Sequence, residues 1–202
     1  MMSPVVALHV PVEAPMTPAA DRILTAATTL FYNRGIHAVG VDSIAEAAGT
    51  TKKTIYDRFG SKNGLIVAYL RRRSMQWRSL VIGRIEEQSP GHDQALAVFD
   101  ATDEWMDSWV RGCGFINAYA ELGGTEHPGV EVIVEEKSWV RELFEYICIA
   151  GGYDDPHFLA GQLTLLHEGS IVTRTAGAQS DASSLARRTA EALLAPDDRM
   201  AR

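Results

Sequence analysis

The sequence predicts an all-α protein: a three-helix N-terminal head built on a helix-turn-helix, then one long helix leading into a larger helical region. Three observations predict it. Apolar residues recur at three- and four-residue spacings through most of the chain. No pair of alternating segments joined by a hairpin turn stands out. The stretch "AEAAGTTKKTIYDRFGSK", Ala45 to Lys62, sets a glycine turn between a small apolar helix and one rich in hydroxyls and cations.

The elements follow in order. Ile23, Ala26, Ala27, Leu30 and Phe31 form one face of a first helix over about 18–33, which Gly35 closes. "VDSIAEAAG" is a short second helix. Asp42 or Ser43 stands at its start, Ser43-x-x-Glu46 matches a capping box, and Gly49 offers a left-handed exit. Thr50 or Thr51 caps a third helix ending near Phe59, and Ser61 caps a fourth running to about Gln88. That fourth helix is too long to serve the first three alone, so it connects two regions. After Ser89-Pro90-Gly91 come a helix with Ala95, Leu96, Val98, Phe99, Trp105, Met106 and Trp109, and a shorter one between glycines around "RGCGFINAYAELGG". Another helix opens at Pro128, and two more cover roughly 156–176 and 182–194.

Composition narrows the function classes. Apolar residues at 46% and charged residues at 22% support a real core and exclude wholesale disorder. No apolar run approaches the roughly 18 residues of a membrane span. The first 17 residues, cut by Pro4, Pro11 and Pro15 and without a basic leader, read as a disordered tail. Cys113 and Cys148 lack CxxC spacing, so neither a disulfide framework nor a zinc site is expected, and the reducing cytoplasm is the natural location. They read as small core residues. The net charge of −7 hides an asymmetry: residues 19–80 hold ten Lys/Arg against four acids, and residues 81–202 hold nine against 21. A basic head on an acidic body suits a module that approaches a polyanion.

In a helix-turn-helix the second helix enters the major groove. Ile44, Ala45, Ala48, Ile55 and Phe59 have the spacing to pack the two helices together. Thr51, Lys52, Lys53, Thr54, Tyr56 and Arg58 then face outward. Lysines and hydroxyls reach phosphate oxygens, and Lys or Thr also reads guanine acceptors or a thymine methyl. For Tyr56 an ordinary half-buried surface aromatic is the competing role. Arg71, Arg72 and Arg73 read as a solvated face.

The run "ILTAATTLFYNRGIHAVGVDSIAEAAGTTKKTIYDRFGSKNGLIVAYL" resembles the DNA-binding domain of the tetracycline-repressor (TetR) family of transcriptional regulators. Ala27, Phe31, Gly35, Ile44-Ala45, Ala48-Gly49, "TIYDRFGSK" and Leu65 carry the likeness. The resemblance implies that Thr51, Lys52, Lys53, Thr54 and Tyr56 touch DNA and that Lys62 holds a phosphate. Thr50, Arg58 and the stretch from Val41 through Ser43 are secondary contacts. Two departures stand out. Gly40 occupies a position where the family often has a phosphate-holding Thr. Asp57 would repel phosphate unless it pairs with Lys53 or accepts from a cytosine amine.

The resemblance divides the chain into a tail (1–17), a DNA-binding domain (18–66) and a helical effector-binding and dimerisation domain (67–202). It implies a repressor that binds a near-palindromic operator in double-stranded DNA as a homodimer and is released by a small-molecule effector, with no cofactor. In the last two helices Gly161, Gly169 and Ala176 permit close approach, and Leu159, Leu163, Leu166, Leu185 and Leu193 supply apolar area for a partner. Trp105, Trp109, Phe115, Asn117 and Tyr119, with His167 and Glu168 at a polar end, suit a small-molecule cavity. Core packing competes with that role for each of them. Asp100, Asp103, Glu104 and Asp107 read as a solvated face rather than a metal site. An enzyme is not expected: there is no nucleophile elbow, P-loop, HExxH or dinucleotide fingerprint, and adjacent His167 and Glu168 diverge by about 100° on a helix. The rival reading is a protein-interaction module of the same fold that has lost specific DNA binding, against which Lys52, Lys53 and Lys62 argue.

Overall fold

The computed structural model describes residues 15–195. Among them the elements are nine α-helices with no strand: α1 (Pro18–Arg34), α2 (Val41–Ala47), α3 (Lys52–Phe59), α4 (Lys62–Glu86), α5 (His92–Asp107), α6 (Gly114–Leu122), α7 (Gly129–Ala150), α8 (Pro156–Thr175) and α9 (Ala182–Leu194). Most of the expected tail, residues 1–14, and the last seven residues lie outside this description. The all-α architecture is the one the periodicity predicts.

The described chain forms two compact units, interleaved along the sequence. One comprises residues 15–78 with 113–137, the other 79–112 with 138–195, so α4 and α7 contribute to both. In the first unit Ile23, Leu24, Ala27 and Phe31 of α1, Ile44 of α2, Ile55 of α3 and Leu65, Ile66, Tyr69 and Leu70 of α4 share one core. Phe115, Ala118 and Leu122 of α6 and Val132 and Ile133 of α7 complete it. Burying each of the larger aliphatic side chains contributes about 2 kcal/mol.

The caps explain where the helices stop and start. Gly35, at φ 90°, donates its N–H to the Phe31 carbonyl and ends α1. Gly49, at φ 61°, makes the turn between α2 and α3. The Thr51 hydroxyl accepts from the Thr54 N–H at 3.2 Å and opens α3, and the Ser61 hydroxyl accepts from Gly64 N–H at 3.0 Å and opens α4. The expected capping box on α2 is not used. That helix begins at Val41, its N-cap at Gly40 two or three residues ahead of Asp42 or Ser43, and no side-chain cap bond forms.

Arg71 is exposed, but the rest of the arginine run is a correction to the expected solvated face. Arg72 is buried and reaches Asp21 at 2.8 Å. Arg73 is 2% exposed, its guanidinium 4.9 Å from the Tyr32 ring centroid. Its long apolar stem makes such burial possible. Gly114 is the residue that admits it: a Cβ there would fall 2.5 Å from Arg73 Nε. Nearby, buried Glu136 accepts from the Ser74 hydroxyl and from Arg78 Nε at 2.9 Å. Burial pushes its carboxyl above the ordinary range, opposed by Arg78 and Ser74.

In the second unit α9 packs on α5 and α8. The acids of α5 are exposed, as expected of a solvated face, and each also meets an arginine from α4, α8 or α9: Asp100 with Arg187 at 2.6 Å, Asp103 and Asp107 with Arg174, and Glu104 with Arg84. Leu159 and Leu163 face the core of this unit, whereas Phe158, Leu165 and Val172 project outward. The outward stripe of α8 is therefore one residue out of step with the one expected.

Candidate nucleic-acid interface

The recognition face is built by α3. Ile55 is fully buried and Phe59 and Thr54 are half-buried, which fixes the rotation of the helix. Thr51, Lys52, Lys53, Tyr56, Asp57 and Arg58 are left exposed, Tyr56 at 45%. The N-terminus of α3 adds oriented N–H groups. Ser43 is half-buried in the first turn of α2 and Thr50 is half-buried in the turn. The hydroxyls of Thr51 and Thr54 lie 3.0 Å apart.

The charged groups are held in place. Lys53 Nζ meets Asp57 Oδ2 at 2.8 Å, so in the unbound protein Asp57 pairs with Lys53. Lys52 Nζ meets Asp42 Oδ2 at 2.7 Å, a pair between α2 and α3 that the sequence did not reveal. Lys62 donates to the Ile36 carbonyl at 2.7 Å and is half-buried. Desolvation lowers its pKa, with Glu121 opposing. An ammonium has three protons, so this bond leaves Lys62 donors for a phosphate.

The segment leading into α2 is held from both sides. Beyond the Lys62 bond to Ile36, the Glu121 carboxylate of α6 accepts the amide N–H groups of Ile36 at 2.8 Å and His37 at 2.6 Å. Sequence reasoning missed Glu121, because no local pattern links it to a loop 84 residues earlier. Gly40 has extended φ of −81°, and a Cβ there would meet nothing within 4 Å.

Residues 23–69, spanning α1 to the middle of α4, match the family described as bacterial regulatory proteins, tetR family. A TetR-family regulator from Streptomyces coelicolor superposes with a TM-score of 0.82 at 28% identity, covering 87% of this chain and 94% of that one. Residues 23–69 thus carry the helix-turn-helix domain of the tetR family. An HTH-type transcriptional regulator of Mycobacterium tuberculosis is 45% identical over 116 residues, and the match spans 57% of either protein, little more than half the length of that relative. A shorter match is to the HTH-type transcriptional activator FasR of Mycolicibacterium smegmatis, 45% identical over 51 residues, 25% of this chain and 23% of that protein. The matched stretch is the helix-turn-helix region built by α1 to α3 with the first part of α4.

The residues expected around an effector are divided between the units. Trp105 and Trp109 are half-buried with ring centroids 5.6 Å apart. His167 is buried in the same unit, edge-on to Phe99 and Phe144. Glu168 folds back along α8 to put Oε1 3.4 Å from His167 Nδ1, so the expected divergence is overcome by the flexible glutamate stem. Phe115 sits in the core of the first unit, where Asn117 is half-buried and Tyr119 exposed on α6. Cys148 is buried and its thiol is pushed up to about 11, first by desolvation and then by Glu145. Cys113 accepts from Lys137 Nζ at 3.5 Å, a contact not foreseen from sequence. Among the described residues no group of three or more His, Cys, Asp or Glu is placed to hold a metal ion, and no helix is long and apolar enough to cross a membrane.

Proposed function

We propose that this chain is a cytoplasmic one-component repressor that binds a near-palindromic operator as a homodimer and is released by a small-molecule effector. Residues 18–66 serve as the DNA-binding domain and 67–202 as the effector-binding and dimerisation domain. One observation carries the DNA-binding part: α3 buries Ile55 completely while presenting Thr51, Lys52, Lys53, Tyr56 and Arg58 outward. Thr54 and Ser43 lie at the margin of that face. Lys62 and Tyr56 hold phosphates, and the first turn of α3 reads base edges.

The dimer reading is supported by α8 and α9. Phe158, Leu165 and Val172 recur every seven residues with 63%, 76% and 53% exposure, and Leu185 and Leu193 of α9 are also exposed. A repeated apolar stripe of this kind suits a two-fold partner. For the effector, Trp105, Trp109 and His167, all of the second unit, offer aromatic surface with a polar group; Asn117 and Tyr119 of α6 belong to the first unit. Phe115 is assigned here to packing. Release then follows if the effector favours a spacing of the two recognition helices that no longer fits successive major grooves.

Selection of a random duplex library on the purified protein tests the proposal. Recovery of a near-palindrome whose affinity falls steeply with salt supports it. Weak binding without a consensus from a sample shown to be folded by circular dichroism would favour the protein-interaction module instead.

A further inference from the structure

The recognition face carries its own counter-anions. Asp42 lies 2.7 Å from Lys52, and Asp57 lies 2.8 Å from Lys53. Residues 19–80 contain four acids and three lysines, so half of those acids stand against two of those lysines. Stability gives little reason for the arrangement, because ion pairs between exposed side chains contribute little to folding. The effect on an approaching polyanion is larger. A phosphate nearing Lys52 or Lys53 meets a carboxylate bound to the same nitrogen, and each pair is electrically neutral.

We propose that Asp42 and Asp57 are specificity-determining residues, which suppress the sequence-independent attraction of α3 for phosphate so that operator preference rests on base-edge contacts. This inference rests on the DNA-binding reading. Random DNA is held in many poses by the phosphate term alone. Across those poses the two carboxylates oppose binding throughout. The operator fixes one pose, in which they are turned from the backbone and base contacts add what the acids do not oppose.

The experiment measures binding of the full chain, Asp42→Asn and Asp57→Asn to a labelled random duplex and to the selected operator over a range of salt. Each substitution should tighten random-duplex binding about eightfold near 0.1 M salt and steepen the log–log salt slope by about 0.9, one added counterion released. The operator should tighten less, with its consensus unchanged. Asp42→Ser and Asp57→Ser give a second pair of variants with the same expectation, and circular dichroism verifies folding. Unchanged random-duplex affinity, or equal tightening on both duplexes, would overturn the proposal. A new base preference at one position in Asp57→Asn would overturn it for Asp57, which would then be a base reader. If the wild-type chain bound neither duplex, the DNA-binding reading would fail, and this inference with it.

Discussion

Glu121 accepts the N–H groups of both Ile36 and His37, tying the last turn of α6 to the segment that leads into α2. Hydrogen bonds to a charged group contribute about 1.5–3 kcal/mol each when partly buried. Removing the acceptor leaves two amides to find water, and Lys62 loses a favourable neighbour. Glu121→Ala should therefore destabilise the chain by about 2 kcal/mol, lowering Tm by roughly 4–8 °C. Glu121→Gln, which keeps an acceptor oxygen, should lose less. A thermal melt unchanged in both variants would show that water replaces the carboxylate without cost.

Gly40→Thr should strengthen DNA binding. The backbone is extended at φ −81° and ψ 157°, and the space around the added Cβ is open, so the substitution is sterically allowed. A Thr there caps α2 and offers its hydroxyl to a phosphate at the helix N-terminus. The expected gain is about tenfold, near the lower end of the range for a hydrogen bond to a charged group. Affinity for the selected operator, compared with Gly40→Ala, measures it; equal affinities for Thr and Ala would remove the hydroxyl's role.

Leu165→Lys should convert the proposed dimer to a monomer without unfolding it. Leu165 is 76% exposed in the single chain, so a lysine there costs the monomer little. In a two-fold interface the same change sets two cations face to face in apolar surroundings. Sedimentation of the variant should give the monomer mass while circular dichroism stays helical. A variant that still sediments as a dimer would place the interface elsewhere.

Cys148 links stability to alkaline pH. An unfolded thiol ionises near its ordinary value of about 8.5, whereas the folded one holds its proton to about 11. The unfolded state therefore loses protons first, and stability falls as pH rises from about 8.5 to 11. Below that window the contribution is fully present. Cys148→Ala should flatten this part of the stability profile, read by urea melts across the range. Native Cys148 should also resist alkylation at neutral pH, a result that mass spectrometry checks by mapping the modified cysteine.

Much of this protein was legible in its sequence because helix signals are local. The order of helices, the glycine turn at Gly49, the Thr51 and Ser61 caps and the outward chemistry of α3 all follow from residues within a few positions of one another. The α2 start was misread because Ser43 and Glu46 match a capping pattern that Gly40 makes unnecessary.

Tertiary packing decided the rest. Periodicity identifies an apolar face of α8 but cannot choose between Leu159 with Leu163 and Phe158 with Leu165, since these sets lie only about 100° apart on the helix. The packing of α9 and α5 on α8 settles it, together with the pairing of Arg174 on α8 with Asp103 and Asp107 of α5. Arg73 looks like a surface cation until Tyr32 and Gly114 are brought to it from positions far along the chain. The same holds for Glu121 beneath Ile36 and His37. A sequence determines which groups can form such contacts; only the fold determines which of them meet, because the partners belong to segments that local spacing does not connect.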